Sequence, residues 1–377
     1  MTRLSAEDVA ALTLARQFPT VPGRDEAAVL ELLRRLGPIQ SQVPRSPFLT
    51  ASSRLPGVGY PVVQGLFARY GLLKTSSIRG TVHTSVTEHY GWLDAVARRG
   101  RRGALAGQLG LRRTTPEELL KALENFADAE WRPRTDVVGH ARRWLAEHES
   151  DEAAAAVTGS SVSNLLWGHS GLVRRPPDER WETRTDVLHR RARSVVAGLG
   201  EPAFGDSLAA LVRVQLGALG PLTRADLGYF FGTGLGAVDT ALTTLDEELV
   251  HLTGPDGEDH VDLAEPGADD PGELGVRLLP EFDALLVGLH ARHRTRFLDS
   301  DQLDEVWAKA NGQFAPAVLQ HGRIVGTWRT VAQGSRVRLE VRTLARCTPP
   351  AEDELAAPAA ALAQGMGVRI ADLRVLR

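Results

Sequence analysis

The strongest constraint on the fold is an order of elements that recurs along the chain. Helical segments followed by a hairpin of two strands occur three times, at a spacing of roughly a hundred residues. The three hairpin segments are LLKTSSIRGTVHTSV, GLVRRPPDERWETRTD and ELVHLTGPDGEDHVDL. Helices followed by a two-stranded ribbon are the order of a winged helix-turn-helix. The sequence therefore predicts three tandem modules of this kind.

From about residue 275 the pattern changes to antiparallel strands. Turn signals stand at Asn311-Gly312 and His321-Gly322, SRVRLEVRT alternates apolar and charged residues, and a last helix, AEDELAAPAAALAQGMG, should cover the sheet. We expect a mainly α fold with β (α+β). The predicted domains are winged helices over 1–113, 114–200 and 201–274, followed by a β-rich C-terminal region over 275–377.

The composition excludes several classes of protein. Of the 377 residues, 43% are hydrophobic and 24% are charged, which is typical of a globular protein. Cys347 is the single cysteine, so neither a disulfide framework nor a zinc site with several thiolates is possible. The sequence has no apolar run long enough for a membrane span and no signal-peptide core in MTRLSAEDVA. We expect a cytoplasmic protein without a membrane partner.

Local charge carries more information than the net charge of −3. The turn of the third hairpin carries Asp256, Glu258 and Asp259, and these carboxylates should repel phosphate. We therefore predict that this wing does not lie on a nucleic-acid backbone.

The segment GPIQSQVPRSPF, residues 37–48, places Gln40 and Gln42 two positions apart. We expect the helix that begins near Asp25 to end at this glutamine pair, where prolines force extended or turned backbone. A buried amide without partners costs free energy. The pair therefore indicates either a functional site or a helix end whose side chains satisfy free backbone groups. The residues alone leave both interpretations open.

Two basic segments are candidate contacts to a nucleic acid. If the first hairpin is extended throughout, Arg79, Thr81 and His83 share one face of a strand. The second segment, HARHRTRF, carries four basic side chains within five positions: Arg292, His293, Arg294 and Arg296. This second segment is either a solvated hairpin or a probe that enters a DNA groove.

Other chemistries have little support in the sequence. The eleven histidines are scattered, and the closest pair, His290 and His293, lacks carboxylates or thiols at ligand spacing, so no metal site is predicted. The run GTGLG at 232–236 follows a helix instead of a strand, which favours turn glycines over a dinucleotide site. A GxSxG elbow and a P-loop are absent, and Cys347 has no positioned base. We expect no cofactor.

Three blocks of the sequence resemble one bacterial family of tandem winged-helix proteins: TSSIRGTVHT, LLPEFDALLVG and NGQFAPAVLQHGRIVGTW. The resemblance covers about residues 4 to 345. Characterised members are the AlkZ-like and YcaQ-like DNA glycosylases. The AlkZ-like branch has a signature of Gln, an aliphatic residue and Gln, and the YcaQ-like branch has Asp at the second catalytic position. Gln40 and Gln42 match the AlkZ-like pattern, whereas Ser41 departs from it, so we expect altered packing there with the chemistry retained.

The resemblance implies a monofunctional DNA glycosylase, C-shaped around DNA, that removes N7-alkylguanine. Its substrates would include bulky adducts or interstrand crosslinks left by genotoxic natural products, as in DNA repair or self-resistance. Gln40 and Gln42 would hold the catalytic water. Arg45, Arg79, His83 and the basic run at 292–296 would contact double-stranded DNA carrying the alkylated guanine. HARHRTRF looks longer and richer in arginine than the family's usual loop, so the substrate preference could differ.

Two other functions fit the same architecture. The protein could be a non-catalytic winged-helix transcriptional regulator, in which the glutamines only end a helix. It could also be a small-molecule sensor whose DNA binding depends on a ligand. The acidic third wing and the absence of a coiled-coil heptad favour a monomer.

Overall fold

A computed structural model describes residues 2–158, 160–184, 187–265 and 274–376. The fold is α+β, as predicted. Residues 185 and 186 of the second predicted hairpin and residues 266–273 of the third predicted module lie outside the described residues. Helices α1 to α16 span Ala6–Gln17, Glu26–Leu36, Ser46–Arg54, Tyr60–Ala68, Tyr90–Leu109, Pro116–Phe126, Arg134–His148, Asp151–Ala156, Ser160–Trp167, Ala192–Val195, Phe204–Leu219, Arg224–Phe231, Leu235–Thr244, Ala284–Val287, Leu303–Val306 and Glu352–Met366.

The strands are mostly short. Strands β1 to β16 span Thr2–Arg3, Ile39–Gln40, Leu72–Ser76, Val82–Val86, Arg132–Pro133, Leu172–Arg175, Leu188–Arg191, Leu249–Thr253, Asp259–Leu263, Val276–Leu278, Trp307–Ala308, Gln313–Phe314, Ala317–Gln320, Arg323–Gln333, Arg336–Thr343 and Ile370–Leu376. Five 3₁₀ helices in the described ranges complete the structure: Ile78–Gly80, Thr87–His89, Asp246–Glu248, Ala291–Arg296 and Ser300–Gln302. No described helix has the length and apolar character that crossing a bilayer requires.

The hairpins that recur in the sequence each form part of a three-stranded sheet. The strand orders are β2-β4-β3, β5-β7-β6 and β1-β8-β9. In each sheet a hairpin gains a third strand of two residues from another part of the chain. Such a short strand adds few hydrogen bonds, but it brings the segment that contains it next to the hairpin. In the first sheet this added strand is Ile39–Gln40.

The end of α2 differs from the prediction. The helix stops at Leu36, four residues before the glutamine pair, because Gly37 takes a φ of 73° that ends the helix. Pro38 then has no backbone N–H to continue the helical ladder. Gln40 consequently lies on a strand, where its neighbours are set by cross-strand pairing.

The C-terminal region forms a five-stranded sheet in the order β10-β13-β14-β15-β16. The turn at His321 and Gly322 joins β13 to β14, as the sequence predicted, with both residues at positive φ. Helix α16 covers the sheet, since its Leu355 and Leu362 share one hydrophobic cluster with Val341 of β15. The last strand, β16, was not predicted; it pairs in parallel with β15.

The largest hydrophobic cluster is not confined to one predicted module. It unites Leu14 of α1, Val96 of α5 and Leu216 of α11 with Phe297 and Ile324 of the C-terminal region. Each fully buried Leu, Phe or Ile side chain contributes roughly 1.5–3 kcal/mol. Segments far apart in sequence are therefore held in contact by a shared core, and the module boundaries remain a prediction.

Candidate active site

The two glutamines are joined by a hydrogen bond at the edge of the first sheet. Gln40 lies on β2, directly opposite His83 of β4, and is 8% exposed. Its Nε2 donates to Oε1 of the half-buried Gln42 across 2.6 Å. Because a two-residue strand leads straight into a turn, side chains two positions apart can meet on one side of the chain. The structure thus brings the predicted catalytic pair together.

The loop that joins β3 to β4 corrects the predicted strand face. Residues 78–80 form a 3₁₀ turn, and the strand begins only at Val82, so Arg79, Thr81 and His83 do not alternate along one strand. Two backbone bonds close the turn: Ser77 N to Thr81 O and Gly80 N to Ser77 O, each 3.1 Å long. Arg79 itself has a φ of 51°, which is uncommon for a residue with a side chain.

The guanidinium of Arg79 lies inside the protein beside the glutamines. Its Nη1 donates to the carbonyl oxygen of Phe230 at 2.7 Å, and its Nη2 donates to Gln40 Oε1 at 3.2 Å. Phe230 belongs to α12, 190 positions after Gln40 in the chain. In this structure Arg79 therefore contacts the predicted catalytic residue and the third predicted module.

His83 is buried, with 2% of its surface exposed. Its Nδ1 lies 3.0 Å from Thr81 O, so Nδ1 carries the proton and donates it. Burial, reinforced by the positive charge of Arg79, lowers the pKa of His83 to about 3. A neutral, buried imidazole cannot attract phosphate as a cation, which argues against the predicted role of His83 as a charged DNA contact.

Ser41 lies on the opposite side of the segment from the two amides. Its Oγ donates to Ile39 O and accepts from Thr84 Oγ1, each at 2.9 Å. The residue is 2% exposed, and Thr84 is fully buried. A buried hydroxyl is tolerated when it is hydrogen-bonded. The family pattern has an aliphatic residue at this position. The serine instead forms a hydrogen bond that links the glutamine segment to β4.

A small cavity of about 30 Å³ adjoins Gln40 and His83. Arg54 and Asp283, which form an ion pair with Nη2 and Oδ2 2.9 Å apart, line its other side. Each of these two side chains is 1% exposed. A volume of this size accommodates about one or two ordered water molecules. No local pattern predicts this pair, because 229 positions separate its members.

The basic run HARHRTRF forms a 3₁₀ helix, not a hairpin, and two of its four basic side chains lie inside the protein. Arg294, 3% exposed, stacks on the rings of Trp307 and Tyr229. Arg296 donates to Thr13 Oγ1 at 2.9 Å, and burial lowers its pKa to about 10. The prediction that Arg294 and Arg296 enter a DNA groove does not agree with these positions. An arginine run read from sequence alone cannot show which side chains pack inward.

The other two basic residues of this run meet the acidic tip of the third hairpin. Arg292 Nη1 lies 3.2 Å from Glu258 Oε1, and its side chain is 64% exposed. His293 Nδ1 lies 2.9 Å from the buried carboxylate of Asp226, and this bond raises the pKa of His293. Burial opposes ionisation of Asp226, but bonds from His293 and nearby backbone outweigh it and lower its pKa to about 2.

Asp256, Glu258 and His293 are the one group in the described ranges whose ligand atoms are close enough for a metal ion, within 4.8 Å of one another. The sequence did not suggest this group, because its carboxylates come from a hairpin some 35 positions before the histidine. Ion pairs explain the arrangement: Glu258 faces Arg292 and His293, and the histidine is held by Asp226. The group therefore needs no metal to account for it.

Several arginines outside the two predicted basic segments are more exposed than Arg79 and Arg294. Arg184 is exposed, and its Nη2 lies 3.4 Å from the backbone oxygen of Gln42. Arg45 is held by Glu281 and also reaches Thr330 of β14 at 3.4 Å. Strands β14 and β15 carry four further exposed arginines: Arg323, Arg329, Arg336 and Arg342. The alternation in SRVRLEVRT was the available signal for this surface.

Comparisons with known proteins establish the fold and the family. The structure matches that of Streptomyces sahachiroi DNA glycosylase AlkZ with a TM-score of 0.77 and 21% sequence identity, over 100% of both chains. At this identity the likeness establishes a shared fold. A comparison with curated proteins finds no match. The family model described as DNA glycosylase AlkZ-like matches residues 33–364, a range that contains both glutamines. This chain therefore belongs to the AlkZ-like DNA glycosylase family.

Proposed function

We propose that this DNA glycosylase hydrolyses the N-glycosidic bond of N7-alkylguanine in double-stranded DNA, and that it also accepts bulky adducts and interstrand crosslinks. The observation that carries the proposal is the bonded pair Gln40 and Gln42, with 2.6 Å between Nε2 and Oε1, at the edge of the first sheet. Two amides held this way can orient one water molecule by hydrogen bonding.

The chemistry of the substrate suits an amide site. Alkylation at N7 places a positive charge on guanine, so the base departs with the electrons of the C1′–N9 bond and leaves as a neutral molecule. The enzyme must mainly stabilise the oxocarbenium-like sugar and deliver water to C1′. A glutamine carbonyl offers partial negative charge to that cation, and the attacking water loses its proton to solvent.

The surroundings of the glutamines support a site without a general base. Within the described chain, neither side chain is hydrogen-bonded to a carboxylate. Asp283 lines the adjoining cavity, but its charge is engaged by Arg54. A substrate with a poor leaving group would need stronger acid or base catalysis than this arrangement offers.

Membership of a glycosylase family favours an enzyme over the two non-catalytic alternatives, the transcriptional regulator and the small-molecule sensor. For the DNA contacts, exposure favours Arg184, Arg292 and the arginines of β14 and β15, with Arg45 beside them. We propose that a monomer binds the duplex along this surface, with the glutamines facing the damaged nucleotide.

The proposal also includes monofunctional activity. Burial lowers the pKa of Lys74 in the first sheet to about 7, but its Nζ lies 3.3 Å from Trp181 O. It stands opposite Thr84 in the sheet, on the face away from Gln40. Borohydride should therefore trap no covalent complex between enzyme and abasic DNA. A trapped complex that disappears in Lys74→Met would contradict monofunctional activity.

The decisive experiment uses duplex DNA with a single N7-methylguanine. Wild-type enzyme should release the base and leave an alkali-labile abasic site, and Gln42→Ala should not. A second duplex, crosslinked by a nitrogen mustard through two N7 positions, tests unhooking. Tight sequence-specific binding without any base release would favour the regulator. Release of methylguanine without unhooking would limit the proposal to monoadducts.

A further inference from the structure

The orientation of Gln40 depends on a residue that sequence reasoning assigned to DNA. Arg79 stands at the tip of the first hairpin, and its guanidinium carbon lies 4.9 Å from the ring centre of Tyr229 and 5.6 Å from that of Phe230. Such stacking stabilises a desolvated cation. The approach is close: a Cβ at Gly232 would lie 3.2 Å from Cγ of Arg79. Arg79 is thus fixed on α12.

The direction of the hydrogen bonds follows from the chemistry of arginine. A guanidinium donates hydrogen bonds and accepts none. Gln40 must therefore turn Oε1 towards Arg79 Nη2, at 3.2 Å, and this orientation sends Nε2 towards Gln42. The bonds run in one direction, from Arg79 through Gln40 to the oxygen of Gln42. Without Arg79, the carboxamide of Gln40 could rotate by half a turn. Its oxygen would then face the oxygen of Gln42, and the hydrogen bond between the two amides would be lost.

We propose that Arg79 is a positioning residue: it sets the carboxamide of Gln40 so that Oε1 of Gln42 is the atom that holds the attacking water. This inference rests on the proposed function. The carbonyl oxygen of Gln42 has two lone pairs, one of which accepts from Gln40 and one of which remains for water. Gln40 acts through Gln42, and the two amides are not equivalent.

The same geometry removes Arg79 from the set of phosphate contacts. Both of its terminal nitrogens donate to protein oxygens, one on Phe230 and one on Gln40. A phosphate contact would release counterions and add about 0.9 to the salt dependence of DNA binding. A positioning residue changes the rate of the bound complex and leaves that salt dependence unaltered. The two roles can therefore be separated by measurement.

The test compares Arg79→Met with Arg294→Met, a matched control. Arg294 also stacks on Tyr229, at 5.2 Å from the ring centre, and it is buried, but it has no contact with the glutamines in the described structure. On N7-methylguanine DNA with saturating enzyme, Arg79→Met should lower the single-turnover rate by about 10- to 100-fold. Its salt dependence of binding should match that of wild type. Arg294→Met should keep the wild-type rate.

Coupling to Gln40 gives a second readout. In the Gln40→Ala background, Arg79→Met should cause no further loss of rate, because the group that it positions is gone. Equal losses from Arg79→Met and Arg294→Met, or additive losses with Gln40→Ala, would overturn the inference. So would a lower salt dependence with an unchanged rate, which would make Arg79 a phosphate contact.

A measurement without substrate keeps the inference separate from the proposed function. Nuclear magnetic resonance of isotope-labelled glutamine side chains, assigned with Gln40→Ala and Gln42→Ala, should show the Gln40 amide signals move in Arg79→Met and stay in Arg294→Met. Unmoved signals would refute the positioning role even if the enzyme is active. Moved signals in a protein that releases no N7-alkylguanine would refute the proposed function alone.

Discussion

The hairpin tips of the first and third sheets have similar architecture and opposite charge. The first tip carries Arg79, whose guanidinium is buried between α12 and Gln40. The third tip carries Asp256 and Glu258, which face the basic 3₁₀ helix. Both tips contact other segments of the chain. The first tip does so through hydrogen bonds that Arg79 donates to carbonyl oxygens, and the third does so through ion pairs.

The comparison shows that charge at a hairpin tip does not reveal its partner. An arginine at a wing tip suggests phosphate, and an acidic tip suggests a surface remote from DNA. In this protein the arginine tip serves an interior contact, while the acidic tip holds the region of α12 and the 3₁₀ helix together. In the proposed function the edge of the first sheet is the reactive one, whereas the tip of the third sheet has a structural role.

The largest expected effect separates these two roles. Gln42→Ala should lower the single-turnover rate on N7-methylguanine DNA by about 10²–10³-fold, because it removes the oxygen that orients the water. Glu258→Gln, at the third tip, should keep the wild-type rate. Thermal melting checks that both variants are folded. A Gln42→Ala enzyme as fast as wild type would place the reactive edge elsewhere.

The free energy of unfolding, in contrast, should depend more on the region around the third tip than on the glutamine pair. Asp226 accepts bonds from His293 Nδ1, from the backbone of His290 and from Thr223, and it is fully buried. Asp226→Ala should lower the free energy of unfolding by about 3–5 kcal/mol, because it leaves the buried backbone donor of Thr223, the backbone N–H of His290 and the side chain of His293 without their acceptor. Urea denaturation measures the loss. The control is Asp8→Ala in the exposed capping box of α1, for which a much smaller loss is expected.

The histidines beside the two tips, His83 and His293, should make the free energy of unfolding depend on pH in opposite directions. The folded pKa of His83 is about 3, so below pH 6.5 the unfolded chain takes up a proton that the native state does not, and stability falls on acidification between pH 6.5 and 3. His293 has a raised pKa, so its contribution is complete below pH 6.5 and is lost as pH rises through the folded pKa.

Urea denaturation of wild type, His83→Gln and His293→Gln from pH 4 to pH 9 tests the sign of both pH dependences. His83→Gln should reduce the slope of stability on the acid side, by at most about 1.4 kcal/mol per pH unit. His293→Gln should remove the loss of stability that wild type shows as the pH rises through the folded pKa of His293. An unaltered acid slope in His83→Gln would mean that the imidazole is already protonated in the native state.

The smallest effect concerns DNA binding. Arg184, exposed beside Gln42, should contribute about 0.9 to the salt dependence of binding, so Arg184→Ala should lower the slope by that amount. Arg294→Ala should leave the slope unchanged, because the side chain is buried near the third sheet. Binding to undamaged duplex at several salt concentrations measures both. A reduced slope in Arg294→Ala would show that this buried arginine also contributes to DNA binding.

Much of the fold was accessible from local signals. Capping boxes at Ser5, Thr115 and Thr223 begin α1, α6 and α12. The first and third hairpins lie within their predicted segments, whereas the second strand of the second hairpin, Leu188–Arg191, lies just past its predicted segment. These features depend on residues three or four positions apart, or on strands joined by one turn. Strand β16 was missed, because it pairs in parallel after a helix, and no local pattern specifies that partner.

The site was accessible only in part. Spacing and family resemblance selected Gln40 and Gln42, but they placed the pair at a helix end and Arg79 on a strand face. Gly37 ends the helix early, and the turn around Gly80 points Arg79 inward. A positive φ changes the direction of the chain within one residue, so a period of two or 3.6 no longer predicts which side chains meet.

The sequence by itself determined the repeated order of helices and hairpins, the glutamine pair and the family to which the chain belongs. Periodicity, capping and turn residues act over a few positions, and they are legible in one dimension. The tertiary structure alone decided which arginines are buried, which tip meets which helix, and which oxygen of the glutamine pair faces an arginine. Those contacts join residues from 34 to 283 positions apart, and packing of the shared core helps to select them.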